Sequence, residues 1–130
     1  MITVKPIQNK EDQAALCRLC GIDFLPDALA YRAEDDQVFA GICQFGMDGD
    51  GGHLFHLAKA PDTAFDDALF VMGRAALNFI DLCGVHNADY RGDVRDERLL
   101  RRIGFRLTGD GRYIVDLNGF FDHPCAHAPN

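Results

Sequence analysis

The stretch from His53 to Gly84, HLFHLAKAPDTAFDDALFVMGRAALNFIDLCG, decides how the chain folds. Its first part, His53–Lys59, reads as a strand, and Pro61, which cannot donate to a sheet ladder, closes it. Asp62 or Thr63 can then cap a helix over about Phe65–Cys83. Phe65, Ala68, Leu69, Met72, Ala75, Ala76, Phe79 and Cys83 recur every three or four residues and form one apolar face. Phe70, Val71 and Leu77 make the other side apolar as well, so the helix is expected to pack centrally. Gly84 is placed to end it.

Upstream, Asp48-Gly49-Asp50-Gly51-Gly52 is a permissive turn. Val38–Phe45 reads as a strand, and Glu34-Asp35-Asp36-Gln37 is a polar turn joining it to a strand at Leu29–Ala33. Before these, Ile2–Ile7 alternates like a short strand. Asn9 can cap a helix over Lys10–Cys20 with Ala15, Leu16, Leu19 and Cys20 inward, and Gly21 can end it. Downstream, Ala88–Val94 contains a short strand. Asp96–Ile103 reads as a helix with Leu99, Leu100 and Ile103 inward. Phe105–Thr108 and Arg112–Leu117 flank Gly109-Asp110-Gly111, a hairpin signal. The order β, α, β, β, β, α, β, α, β, β predicts an α/β (α+β) mixed sheet of six or seven strands with helices on both faces.

The 130 residues amount to one domain, with residues 118–130 as a tail. Thirteen basic against twenty acidic residues give a net charge of −7, which disfavours nucleic acid as a partner. No apolar run is long enough to span a membrane and the start lacks a signal-peptide pattern, so a cytoplasmic protein is expected. Five cysteines, an odd number without a secreted framework, read as reduced thiols.

Four segments carry a resemblance. Glu34-Asp35-Asp36-Gln37-Val38-Phe39-Ala40-Gly41 is similar to the turn into the third strand of the GNAT acetyltransferase family. Leu57-Ala58-Lys59-Ala60-Pro61 is similar to the end of that family's fourth strand. The long helix follows directly, and Arg101-Arg102-Ile103-Gly104-Phe105 resembles the ending of its fourth helix. Together with the element order, the resemblance covers nearly the whole chain. It implies a mostly antiparallel GNAT sheet and an acyl-CoA-dependent N-acetyltransferase. Acetyl-CoA or another acyl-CoA would be the cofactor, and a small-molecule or peptide amine the acceptor. By the same resemblance, Leu57, Ala58, Lys59, Ala64, Phe65 and Ala68 would lie against the cofactor. The region between the first helix and the second strand is compressed to about Gly21–Ala28.

Departures from the family pattern bear on function. The family's cofactor loop usually has Gln or Arg, two residues, then Gly-x-Gly or Gly-x-Ala, whose amides cradle a pyrophosphate. Here the corresponding residues are Ala64-Phe65-Asp66-Asp67-Ala68-Leu69. A helix N-terminus favours an anion by about 0.3–1 kcal/mol. A carboxylate ~8 Å from a phosphate charge costs roughly 2 kcal/mol at an effective dielectric of ~20, so one inward aspartate could cancel the helix contribution. Asp66 and Asp67 are adjacent and cannot both point to one place. The ordinary alternative is that they stabilise the helix start in solvent. Where many family members have a tyrosine that protonates the leaving thiolate, this chain has Leu100. Asp93 stands in place of a frequent asparagine. Tyr90 or Tyr113 is left to substitute.

His53 and His56 lie on the strand where the family often carries a base or water-ordering residue, and histidine titrates in the right range. Opposite strand parity predicts that they face opposite sides of the sheet. Buried structural histidines are the plain alternative. Cys17-x-x-Cys20 ends a helix instead of opening one, unlike a redox motif. With His123, Cys125 and His127 it could form a zinc cluster, but the spacing is irregular and no metal is expected. Asp48-Gly49-Asp50 fails as a calcium loop because His53 and Lys59 occupy the positions of the invariant Gly and Glu. Arg91, Arg95, Arg98, Arg101 and Arg102 form a basic cluster that could hold a phosphate or simply pair with neighbours such as Asp96 and Glu97. Two other readings stay open: a GNAT-fold binding or regulatory module without catalysis, and a small metal-binding protein. A homodimer is compatible with the sequence.

Overall fold

The computed structural model describes residues 1–122, and the His123-x-Cys125-x-His127 cluster lies outside the described residues. Chain order is β1 (Ile2–Pro6), α1 (Lys10–Cys20), β2 (Leu29–Asp35), β3 (Val38–Asp48), β4 (Gly51–Lys59), α2 (Asp67–Leu82), β5 (Asn87–Tyr90), α3 (Glu97–Ile103), β6 (Arg106–Leu107) and β7 (Tyr113–Asp116). This is the expected order. The seven strands form one sheet in the order β1-β2-β3-β4-β5-β7-β6. Every pairing is antiparallel except β4 with β5.

The hairpins follow from local turn chemistry. Between β2 and β3, Asp36 and Gln37 both take positive φ, at 50° and 72°, as a two-residue turn matched to strand twist requires. Between β3 and β4, the Asp48 carboxylate accepts from the Asp50 N–H at 2.8 Å and pins the turn.

α2 lies on one face of the sheet. It buries Ala68, Leu69, Met72, Gly73, Ala76, Leu77 and Ile80 against a core that includes Phe45, Leu54 and Phe105. Leu77 is therefore a core residue, although periodicity put it on the outer side. Phe65 and Cys83 are corrections: α2 starts two residues later than expected, after Asp66, and Phe65 is 77% exposed. Cys83 is exposed just past the helix end. α3 meets the same layer through Gly73, where an added Cβ would sit 2.8 Å from Ile103 Cδ1.

α1 covers the opposite face. Asn9 caps it by accepting from Glu11 and Asp12 N–H, and Gly21 ends it in the left-handed region. Its inward residues are Gln13 and Cys17, with Leu19 exposed. The expected apolar face is thus rotated, because Gln13 enters a buried polar network described below. No helix among the described residues is long and apolar enough to cross a membrane.

Candidate functional site

β4 and β5 pair over three residues only, Gly52–Leu54 with Ala88–Tyr90. Arg91 N–H then donates to Leu54 O at 2.7 Å, and the strands part while β4 continues to Lys59. Gly92 passes so close to β4 that an added Cβ would lie 2.9 Å from Phe55 O and 2.6 Å from Tyr90 Oη. The opening holds a cavity of about 430 Å³. His56, Leu57, Ala58 and Lys59 form its β4 wall, and Asp66 and Leu69 lie at the α2 end. Tyr90, Asp93, Arg95 and Asp96 close the β5 side.

A β-bulge shapes this wall. Phe45 pairs with Leu54 and Gln44 with His56, which leaves Phe55 without a partner on β3. The extra residue reverses the parity of everything before it. His53 pairs with Gly46 and His56 with Gln44, two residues apart on β3. The two histidines therefore share the α1 face, against the expectation from simple alternation.

They sit in different surroundings. His53 is buried, and its Nδ1 and Nε2 lie 2.7 Å and 2.9 Å from carboxylate oxygens of Asp89 and Asp48. It ties the β3–β4 turn to β5 and is not part of the cavity lining. Asp89 also pairs with Arg91 and Arg112. Burial pushes its carboxyl up, but the hydrogen bonds from His53 and Arg112 and the charges of His53 and Arg91 outweigh this and hold it below its usual value. His56 lines the cavity, and burial lowers its imidazole against the opposing charges of Asp23 and Asp93.

The two aspartates at the helix start separate. Asp66 lines the cavity, makes no side-chain cap, and pairs with Lys59 at 3.0 Å. Asp67 is exposed. The negative charge at the cofactor-loop position thus comes with a neighbouring cation. Of the two tyrosines, Tyr90 lines the cavity and donates to Asp93 O at 2.8 Å. Burial pushes its phenol up to about 12. Tyr113 donates to Glu97 outside the cavity. Leu100 sits in the lining as a plain apolar wall.

The remaining motifs resolve structurally. Cys20 reaches the cavity edge, but burial and the nearby Cys17 raise its thiol to about 11, so it stays protonated. Arg91 and Arg101 pair with Asp89 and Glu97, Arg102 lies over the Phe70 ring, and Arg95 alone of that cluster lines the cavity. Among the described residues no group of three or more potential metal ligands comes together.

Sequence reasoning missed Cys20, Ile22, Arg95 and Leu99 as cavity residues. Arg95 carries a signal in the sequence, as a member of the basic cluster that could hold a phosphate.

No family model matches the sequence, and no curated protein matches it. Solved structures do match. A Bacillus subtilis acetyltransferase in complex with CoA shares 11% identity at a TM-score of 0.71, covering 90% of this chain and 99% of that one. The ribosomal-protein-S18-alanine N-acetyltransferase of Escherichia coli shares 14% identity at 0.67, covering 90% and 94%. The PaiA N-acetyltransferase of Thermoplasma acidophilum in complex with coenzyme A shares 13% at 0.66, covering 88% and 96%. The chain has the GNAT acetyltransferase fold, a seven-stranded, mostly antiparallel sheet with helices on both faces.

Proposed function

We propose that the chain is an acyl-CoA-dependent N-acetyltransferase that takes its cofactor between β4 and β5. The parting of these strands after three paired residues carries this reading, because it leaves a strand edge beside a cavity of about 430 Å³. That volume lies in the range of ligand pockets. Two of the neighbours named above were solved with CoA bound.

The backbone of Leu57, Ala58 and Lys59 would hold the amide-bearing arm of the cofactor. Ala64, Phe65 and Ala68 would flank its phosphates at the start of α2. Asp66 leaves the first-turn amides of α2 without a side-chain cap, so those donors stay open to an anion. Lys59 supplies the cation that the loop itself lacks. Tyr90 holds its proton at neutral pH and is the candidate donor to the leaving thiolate. Asp93 and Asp96 make the β5 side acidic and favour a cationic amine as acceptor. His53 serves the fold and not the reaction.

Two observations favour a second reading, a binding module without catalysis. Leu100 offers no proton where a tyrosine is often found, and Asp66 opposes a phosphate. Calorimetry with acetyl-CoA, joined to a thiol-release assay over amines and short peptides, separates the readings. Binding with amine-dependent thiol release is the expected result. Binding without release from any acceptor supports the module, and absence of binding sinks the cofactor assignment.

A further inference from the structure

The polar network under the cavity runs in one direction. Lys10 Nζ can only donate, and it donates to Gln13 Oε1 at 3.0 Å. That orients the Gln13 amide, whose Nε2 then donates to Gln44 Oε1 at 2.8 Å. Gln44 is oriented twice more. Leu25 N–H donates to its Oε1 at 3.0 Å, and its Nε2 donates to Asp23 O at 2.8 Å. A backbone N–H cannot accept and a carbonyl cannot donate, so no flip of the Gln44 amide satisfies both. Gln13 and Gln44 are completely buried, and water cannot take over these roles.

The second Gln44 N–H meets His56 Nδ1 at 2.9 Å. Nδ1 must accept this bond. In a neutral imidazole the ring proton then sits on Nε2. Adding a proton at Nδ1 would set one N–H against another, and the buried chain back to Lys10 gives Gln44 no way to turn. Among the described residues no hydrogen bond engages His56 Nε2. His56 lines the cavity together with Lys59, Asp66, Tyr90, Asp93, Arg95, Asp96 and the Cys20 thiol. Asp23 on the loop after α1 and Asp93 after β5 face it with negative charge, and burial outweighs them.

We propose that His56 is a neutral N–H donor and not a proton acceptor, with its Nε2 hydrogen offered to an oxygen in the cavity. On the acetyltransferase reading above, on which this ligand assignment rests, that oxygen is the thioester carbonyl of acetyl-CoA. A donor there stabilises the charge that develops on the carbonyl oxygen as the amine attacks. The amine proton must then leave to another group or to water.

Long-range ¹H–¹⁵N NMR of the imidazoles in the full-length protein tests the tautomer without any ligand. The expected spectrum shows His56 protonated on Nε2, unprotonated on Nδ1, and taking up its second proton only below the pH at which a free histidine does. A histidine that titrates near its ordinary value, or one protonated on Nδ1, overturns the proposal. Gln44→Glu gives Nδ1 an acceptor and is expected to move the proton to Nδ1. If that variant folds and the tautomer does not change, Gln44 does not set it and the proposal falls. Acetyl-CoA and CoA, added separately to wild type, test the ligand atom. A downfield shift of the Nε2 proton with acetyl-CoA only supports the carbonyl assignment. Binding of both without that shift removes it. Binding of neither removes the cofactor reading and the carbonyl assignment with it, and the ligand-free spectrum still decides the tautomer.

Discussion

Lys59 Nζ stands 3.0 Å from Asp66 Oδ1, so the last residue of β4 is tied across the cavity to the residue that starts α2. Both side chains are about one third exposed, so the pair is screened and worth little to stability. Its weight lies in the charge that it presents to a ligand.

Asp66→Asn frees Lys59 and removes the repulsion, so acetyl-CoA is expected to bind about three- to tenfold more tightly at low salt. The gain should shrink near 1 M salt, where the screening length falls to about 3 Å. Asp67→Asn, on the exposed side, should change affinity by less than about twofold. Calorimetric titration of both variants at two salt concentrations checks this. Equal effects from the two would show that Asp66 has no special place.

Asp89 makes stability depend on pH in a definite direction. Its folded carboxyl lies below the usual value, so its contribution is complete above about pH 5 and is lost as pH falls through the folded value. Asp89→Asn should cost about 2–3 kcal/mol at pH 7, because the hydrogen bonds that the charged Asp89 carboxylate makes with His53 and Arg112 are weakened. The loss should shrink toward pH 3. Urea denaturation across that range measures it, and a loss that stays constant with pH would refute the assignment.

Gly41 is required by a close approach. An added Cβ would fall 2.7 Å from Ala58 O and 3.2 Å from the Leu69 side chain. Backbone cannot give way as a side-chain tip can, so Gly41→Ala should destabilise by about 1–3 kcal/mol. Because Ala58 and Leu69 line the cavity, acetyl-CoA affinity should fall with it. Thermal melting with and without acetyl-CoA reads both effects.

Gln44→Leu keeps the volume and removes every bond that Gln44 makes. Leu25 N–H, Asp23 O and Gln13 Nε2 lose their Gln44 partner together. Each buried orphan costs about 1–3 kcal/mol, so a total loss of roughly 3 kcal/mol or more is expected. Proteolysis between Gly21 and Ala28 should rise, since Gln44 holds that loop at Asp23 and Leu25. A fully stable variant with a protected loop would contradict the network's role.

The element order was readable because turn residues, caps and periodicity are local signals: Asn9 caps as expected, and the turn at Asp36 and Gln37 forms. What lay outside local reach was set by pairing across the sheet. The bulge at Phe55 depends on how β3 meets β4, and nothing in His53–Lys59 announces it. The face of α1 was misread because apolar spacing favours Leu19, while Gln13 is drawn inward by Gln44, thirty-one residues away. Leu57, Ala58, Lys59 and His56, marked out by the resemblance, and Tyr90, named as a substitute acid, line the cavity, whereas Ala64, Phe65 and Ala68 do not; Cys20 and Ile22 needed the loop to fold back over β3.

The unpaired Phe55 works as a phase shifter in β4. It lets one strand present Leu54 to the α2 core and still bring His53 and His56 out on the far side. Substitutions along β4 change one side chain at a time, but pairing β4 with β3 without the bulge would shift every residue after Leu54 by half a period. His56 would then face the α2 layer, and the wall of the cavity would exchange its polar and apolar members. How β3 meets β4, and not the order of residues in β4 alone, therefore decides which side chains this wall offers to a ligand.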